Sequence, residues 1–228
     1  MTDDIRARLL GSSHGSNSLV RSSSVAVTGE SVGELLAGGG YVAYAGIGSR
    51  ETPADICDLM RLIATVLEDR GLTLRSGGAG GADLAFEAGT SSERLREIFI
   101  PWRGFNGSAS RYYPDSRDAA VTRQAAEIAE AAHPAWDRCS DGAKRLHTRN
   151  VHQVLGLRLD SPVRFVLAWT KDGRASGGTG QAIRIAEARG IPVLNLHSRS
   201  VRNAVMAALG IRWEPGAGAL PAPQGRLR

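Results

Sequence analysis

Between positions 41 and 197 the chain alternates short apolar runs with longer stretches whose apolar positions recur every three or four residues. The runs are YVAYAGI (41–47), LTLRS (72–76), REIFIP (96–101), VRFVLAWT (163–170) and PVLNL (192–196). Their length and near-continuous hydrophobicity fit strands covered on both faces. Between the first two, Ile56, Leu59, Met60, Ile63 and Leu67 form the stripe of a core-facing helix. Pro53 stands just inside its start and Gly71 just past its end, the asymmetry helix boundaries prefer. The same pattern predicts a short helix through Phe86, an Ala-rich helix over 119–132, one from Ala143 to Leu157, one ending at Arg189, and a last near 199–209. Strands alternating with helices imply right-handed crossovers and a parallel sheet sandwiched between helices. The expected fold is therefore α/β: a doubly wound, Rossmann-like sheet of about five parallel strands in the order 3-2-1-4-5.

The ends read differently. Residues 1–39 are rich in Ser and Gly, with one short apolar patch (Val25, Ala26, Val27) and a helical turn at Val32 to Leu36; they are expected to form a flexible or loosely docked extension. Residues 40–213 form the single domain, and 214–228 a Pro/Gly-rich tail without periodicity. No apolar run approaches the ~18 residues that span a bilayer, and the amino terminus carries acids and no apolar signal core. A cytoplasmic protein with no membrane partner is expected. Cys57 and Cys139 have no C-x-x-C spacing and read as thiols in a reducing compartment. The net charge of +5 and pI near 9.7 permit phosphate or nucleic-acid ligands without demanding them, because the arginines form no long run.

Three glycine clusters change the picture. Gly46-Ile47-Gly48-Ser49-Arg50, Gly77-Gly78-Ala79-Gly80-Gly81 and Gly177-Gly178-Thr179-Gly180 each follow a strand. In an open parallel sheet those positions share one edge, where ligands bind at the point of strand reversal. Glycine lets the backbone approach an anion, and the next helix offers free N–H groups at its positive end. Ser49 and Thr179 add hydroxyls, and Arg50 a guanidinium suited to phosphate. One such loop is merely a tight turn; three at one edge point to a phosphate site. It is not a standard dinucleotide site, since GIGSRE lacks the third glycine and the second strand ends in Arg75-Ser76 rather than an acid. Nor is it a P-loop, because no G-K-[ST] occurs.

GSR after the first strand, SGGAGGAD after the second, the R-N pair within LHTRNVHQVLG, and GGTGQAIRIAEARGIPV after the fourth together resemble the SLOG superfamily. That group includes YspA-like nucleotide-binding proteins, DprA and the Lonely Guy phosphoribohydrolases. The resemblance spans roughly residues 41–197 and implies a Rossmann-like fold that binds a nucleotide, a nucleotide-like metabolite or single-stranded DNA. Matched motif by motif, Gly48, Ser49 and Arg50 fall on the first loop, Gly78, Gly81 and Asp83 on the second, Arg149 and Asn150 on the R-N pair, and Gly177, Gly178 and Thr179 on the last. The Lonely Guy glutamate after the last loop is missing: Gly180-Gln181-Ala182-Ile183 stands there, with no acid before Glu187.

Asp83 and Glu87 are the candidate catalytic carboxylates, with capping ranked ahead of catalysis for Asp83, which opens a helix. His133, Cys139, His147 and His152 carry metal-ligand chemistry, but His147 and His152 are five apart and do not share a helix face. Surface or packing roles are expected for them, with no metal and no cofactor. Trp102, Phe105, Tyr112, Tyr113 and Trp136 offer rings for base stacking or loop anchoring. Arg103, Arg111, Arg117 and Arg123 offer a path for single-stranded DNA, interrupted by Asp115 and Asp118. A small nucleotide-like ligand therefore leads, ahead of DNA binding and of N-glycosidic bond cleavage; self-association as a homo-oligomer stays open.

Overall fold

The computed structural model describes residues 29–114 and 118–214; the arm before 29, the tail from 215, Asp115 and Arg117 lie outside them. In chain order the elements are α1 (Gly29–Leu35), β1 (Ala43–Gly48), α2 (Ala54–Asp69), β2 (Thr73–Ser76), α3 (Ala82–Ala88), β3 (Arg96–Ile98), α4 (Ala119–Ala131), α5 (Asp141–Leu155), β4 (Val166–Trp169), α6 (Gly177–Glu187), β5 (Val193–Asn195) and α7 (Arg199–Leu209). The five strands form one sheet in the order β3-β2-β1-β4-β5, every pair parallel. The expected Rossmann-like α/β topology is the observed one.

The period-two alternation of the central strands sorts side chains into two layers. Tyr44 on β1 and Leu167 and Trp169 on β4 join the apolar layer built with α1, α2, α3 and α7. Ala43, Ala45 and Ile47 on β1, with Val166 and Ala168 on β4, face α4, α5 and α6. The predicted stripe of α2 is buried as a unit, with Leu59, Met60, Ile63 and Leu67 fully enclosed. Each such side chain contributes about 1.5–3 kcal/mol by leaving water.

Several boundaries differ from the sequence expectation, three of them with a visible cause. β3 stops at Ile98 because its neighbour β2 ends where Gly78 turns away at φ +63°. Phe99 then forms an isolated bridge with Tyr112. β4 starts late because Val163 N–H donates to Val154 O on α5 instead of to a strand. α5 starts early because Ser140 caps it, its Oγ accepting from Ala143 N–H at 3.3 Å. Within the stretch expected to form an extension, α1 packs on α7 and buries Val32 and Leu36 completely.

Candidate functional site

Strand order reverses between β1, whose chain continues toward β2, and β4, which leads to β5. A cavity of about 480 Å³ opens at the carboxyl ends of these two strands. That volume lies in the range of small-molecule sites. Its wall combines the loop after β1 (Gly48, Ser49, Arg50), the first turn of α6 (Gly177, Gly178, Thr179) and one face of α5 (Arg149, Asn150, Gln153), with Asp83 behind them.

The loop after β1 is held from below. Ser49 N–H donates to Trp169 O at 3.1 Å, and Ser49 O accepts from Thr52 Oγ1 and Ala82 N–H. Its hydroxyl accepts from Glu51 N–H at 3.0 Å. Arg50 is exposed on the rim, where Lys171 and Glu51 also pair at 3.0 Å. An ion pair that exposed contributes little stability.

Gly177 and Gly178 are exposed at the start of α6, and a side chain on either would meet no atom within 4 Å. Ser176, at the N-cap, gives the helix no side-chain cap; its hydroxyl donates instead to Asp172 Oδ1 at 2.8 Å. The positive end of an 11-residue helix therefore faces the cavity through backbone alone. Gly180 is different: it is buried against the Ala175 backbone, a packing position.

Arg149 and Asn150 diverge from neighbouring positions on α5 to two different loops. Asn150 Nδ2 donates to Gly178 O at 3.2 Å and to Gln181 Oε1 at 3.0 Å, tying α5 to the start of α6. Arg149, buried, reaches the second loop and pairs with Asp83 Oδ2 at 3.5 Å. In the amide orientation that satisfies both its ends, Gln153 accepts from Arg149 Nη1 at 3.3 Å and Gly77 N–H at 3.1 Å, and donates to Asn150 Oδ1 at 3.0 Å. Arg149 Nε keeps no partner among the described residues. A buried cation with a long ion pair and an orphan N–H is under-satisfied, and its positive charge favours an anion in the adjoining cavity.

The second glycine loop mainly holds the carboxylates and reaches the cavity only through Ala79. Gly77 packs against the Arg149 guanidinium, and Gly81, at φ +74°, against the Ser49 and Arg50 backbone. Gly78 N–H donates to Glu87 Oε1 at 2.9 Å, and Gly78 O accepts from Asn106 Nδ2 at 2.9 Å. Asp83 lines the cavity, and burial raises its pKa while Arg149 draws it back. Glu87 sits under the loop, outside the cavity lining, and burial together with the Asp83 charge pushes it up to about 7. The structure thus brings Gly48, Ser49, Arg50, Asp83, Arg149, Asn150, Gly177, Gly178 and Thr179 to one cavity. Gly46, Gly77, Gly78, Gly81, Gly180 and Glu87 lie behind it. Gly46 belongs to the core: a side chain there would come within 2.6 Å of the Phe86 ring.

Lining residues that escaped the sequence reading include Ser176 and Lys171, while His147, expected to have a surface or packing role, also lines the cavity. Ser176 and Lys171 flank the last glycine loop, so position alone was their signal. None of the five aromatics lines the cavity; Trp102 packs on Phe105 and Tyr112 on Phe99. Nor do Arg103, Arg111 and Arg123, all exposed. His147 is half-buried, and burial lowers its pKa. Among the described residues no helix is long and apolar enough to cross a membrane. Searches of family models, curated proteins and solved structures return no match to this chain.

Proposed function

We propose that this chain binds a nucleotide or nucleotide-derived ligand, with a phosphate group against the first turn of α6 and the rest of the ligand along α5. The observation that carries this reading is the uncapped, side-chain-free start of α6 opening into the same cavity as the under-satisfied Arg149. Backbone N–H groups at a helix start, with the helix dipole behind them, are suited to phosphate. The resemblance of the loop motifs to the SLOG superfamily supports the nucleotide class. Two features weigh against N-glycosidic bond cleavage as the primary role. Asp83 is committed to Arg149, and Glu87 is turned to the Gly78 N–H rather than to the cavity.

Free nucleotide and single-stranded DNA differ in how many counterions they release. A ligand held in one crevice makes few phosphate contacts, whereas a bound strand shows a slope of roughly −0.7 per phosphate neutralised. Titration with nucleoside monophosphates and with a fluorescent oligonucleotide, each at two salt concentrations, is the test. Mononucleotide binding with a shallow salt slope is the expected result. Sub-micromolar oligonucleotide binding with a steep slope, and no mononucleotide binding, would overturn the proposal in favour of DNA.

A further inference from the structure

Three of the four side chains with metal-ligand chemistry converge although they share no helix face. α4 ends at Ala131, and the following loop turns back so that His133 and Cys139 meet His147 on the second turn of α5. One ligand atom from each lies within 4.8 Å of the others. Cys139 Sγ is 3.8 Å from the ring nitrogens of His133, and the His133 and His147 rings are 4.3 Å apart, centre to centre. With metal–ligand bonds of about 2.0–2.3 Å, the edges of a tetrahedral site are roughly 3.3–3.8 Å, so the triad needs only a small contraction to close on an ion. His152 is not part of it: its ring stacks on Phe99 and its Nδ1 faces Gly156 O.

The surroundings prepare His147 as a ligand. Gln181 Nε2 donates to Ala129 O at 2.9 Å, and Gln181 Oε1 accepts from Asn150 at 3.0 Å, which fixes the direction of that amide. The His147 Nδ1 facing Oε1 at 3.2 Å must therefore carry the ring proton. Its Nε2 is left with the lone pair, the arrangement in which an amide or carboxylate behind a histidine orients it toward a metal.

We propose that His133, Cys139 and His147 form a binding site for a divalent zinc-class ion at the wall of the cavity. Imidazole with thiolate selects borderline and soft ions over magnesium or calcium. On binding, the Cys139 thiol, which now donates to Ala135 O at 3.6 Å, gives its proton to solvent and forms the metal–sulfur bond. His133 ligates through Nδ1 once the Ala135 N–H is released, or through Nε2 after the ring proton moves to Nδ1, which gives up the Ala135 N–H in the same step. Three protein ligands leave a fourth position for water, the pattern of an open rather than a closed site. Of the three, His147 lines the cavity and His133 a separate groove, so the ion would lie behind the cavity wall, joined to it through His147.

The test uses the untagged full chain, titrated with Zn²⁺ by calorimetry and with Co²⁺ by absorption spectroscopy. One equivalent of each metal is expected, the cobalt form showing intense thiolate-to-metal charge transfer and tetrahedral visible bands. Cys139→Ala should remove the charge-transfer band, and both it and His133→Gln should weaken Zn²⁺ by roughly 100-fold or more, beyond what losing a supporting residue does. Circular dichroism of the metal-free variants establishes that they are folded. Absence of one-to-one binding, a weak octahedral cobalt spectrum, or unchanged affinity in both variants would overturn the site. None of these readouts depends on nucleotide binding.

Discussion

The Arg149 guanidinium occupies the space that a side chain on Gly77 would need, with Asp83 Oδ2 beside it. Two positions far apart in sequence are thereby locked together at the base of the cavity. A glycine read in the sequence as part of a phosphate loop instead admits a buried cation.

Gly77→Ala should therefore act through Arg149. The guanidinium must move, and Asp83, only 4% exposed, is left without its cation. Removing one partner of a buried ion pair costs about 3–5 kcal/mol. Urea unfolding monitored by circular dichroism is expected to show a loss of that order. A change below about 1 kcal/mol would mean that Arg149 is free to leave, contrary to its packing.

Gly46→Ala should separate packing from binding. Its new methyl would meet the Phe86 ring at 2.6 Å and Leu74 Cδ1 at 2.8 Å. Overpacking of this kind costs about 1–3 kcal/mol. Thermal unfolding should report that loss, whereas nucleotide affinity measured on the folded protein should stay within about twofold of the wild type. A selective loss of affinity would put Gly46 back among the binding residues.

Glu87 gives the fold a defined pH dependence. Its carboxyl is held at about 7 in the folded protein against an ordinary 4.5, chiefly by burial and then by Asp83. Between these values the folded state binds the proton more tightly than the unfolded state, so stability falls as pH rises from about 4.5 to about 7. The full effect is on the order of 3 kcal/mol. Glu87→Gln, which keeps an acceptor for the Gly78 N–H, should flatten this part of the profile. The quantity to measure is the difference between wild-type and variant unfolding free energies at pH 5 and pH 7.5; an equal difference at both would contradict the shifted carboxyl.

The architecture was legible because its signals are local. The apolar runs of β1 and β4 and the stripe of α2 each lie within a few residues of one another, and strand–helix alternation leaves few topologies. The first and third glycine loops were legible for the same reason. What stayed hidden depends on distant approach. Arg149 is marked by the R-N resemblance, but its contacts with Asp83 and Gly77 emerge only when α5 is laid against the second loop. Arg75 reads only as a strand end without the acid of a dinucleotide site, yet it is buried, with Glu97 at 2.6 Å and Tyr41 Oη at 2.9 Å. The histidine–cysteine triad was missed because spacing along α5 was weighed and the return of the 133–140 loop was not visible.

The first turn of α6 can be tested directly through Gly178→Asp. A side chain at Gly178 meets no protein atom within 4 Å, and a carboxylate in the first turn favours the helix dipole by about 0.3–1 kcal/mol. The variant should therefore fold as stably as the wild type. The same carboxylate would stand where the phosphate is proposed to sit, and like charges so placed cost several kcal/mol. Calorimetric titration with a nucleoside monophosphate should show binding to the wild type and a loss of at least about 100-fold in the variant, roughly 2.7 kcal/mol. Equal nucleotide affinity in a folded Gly178→Asp protein would contradict a phosphate site at α6.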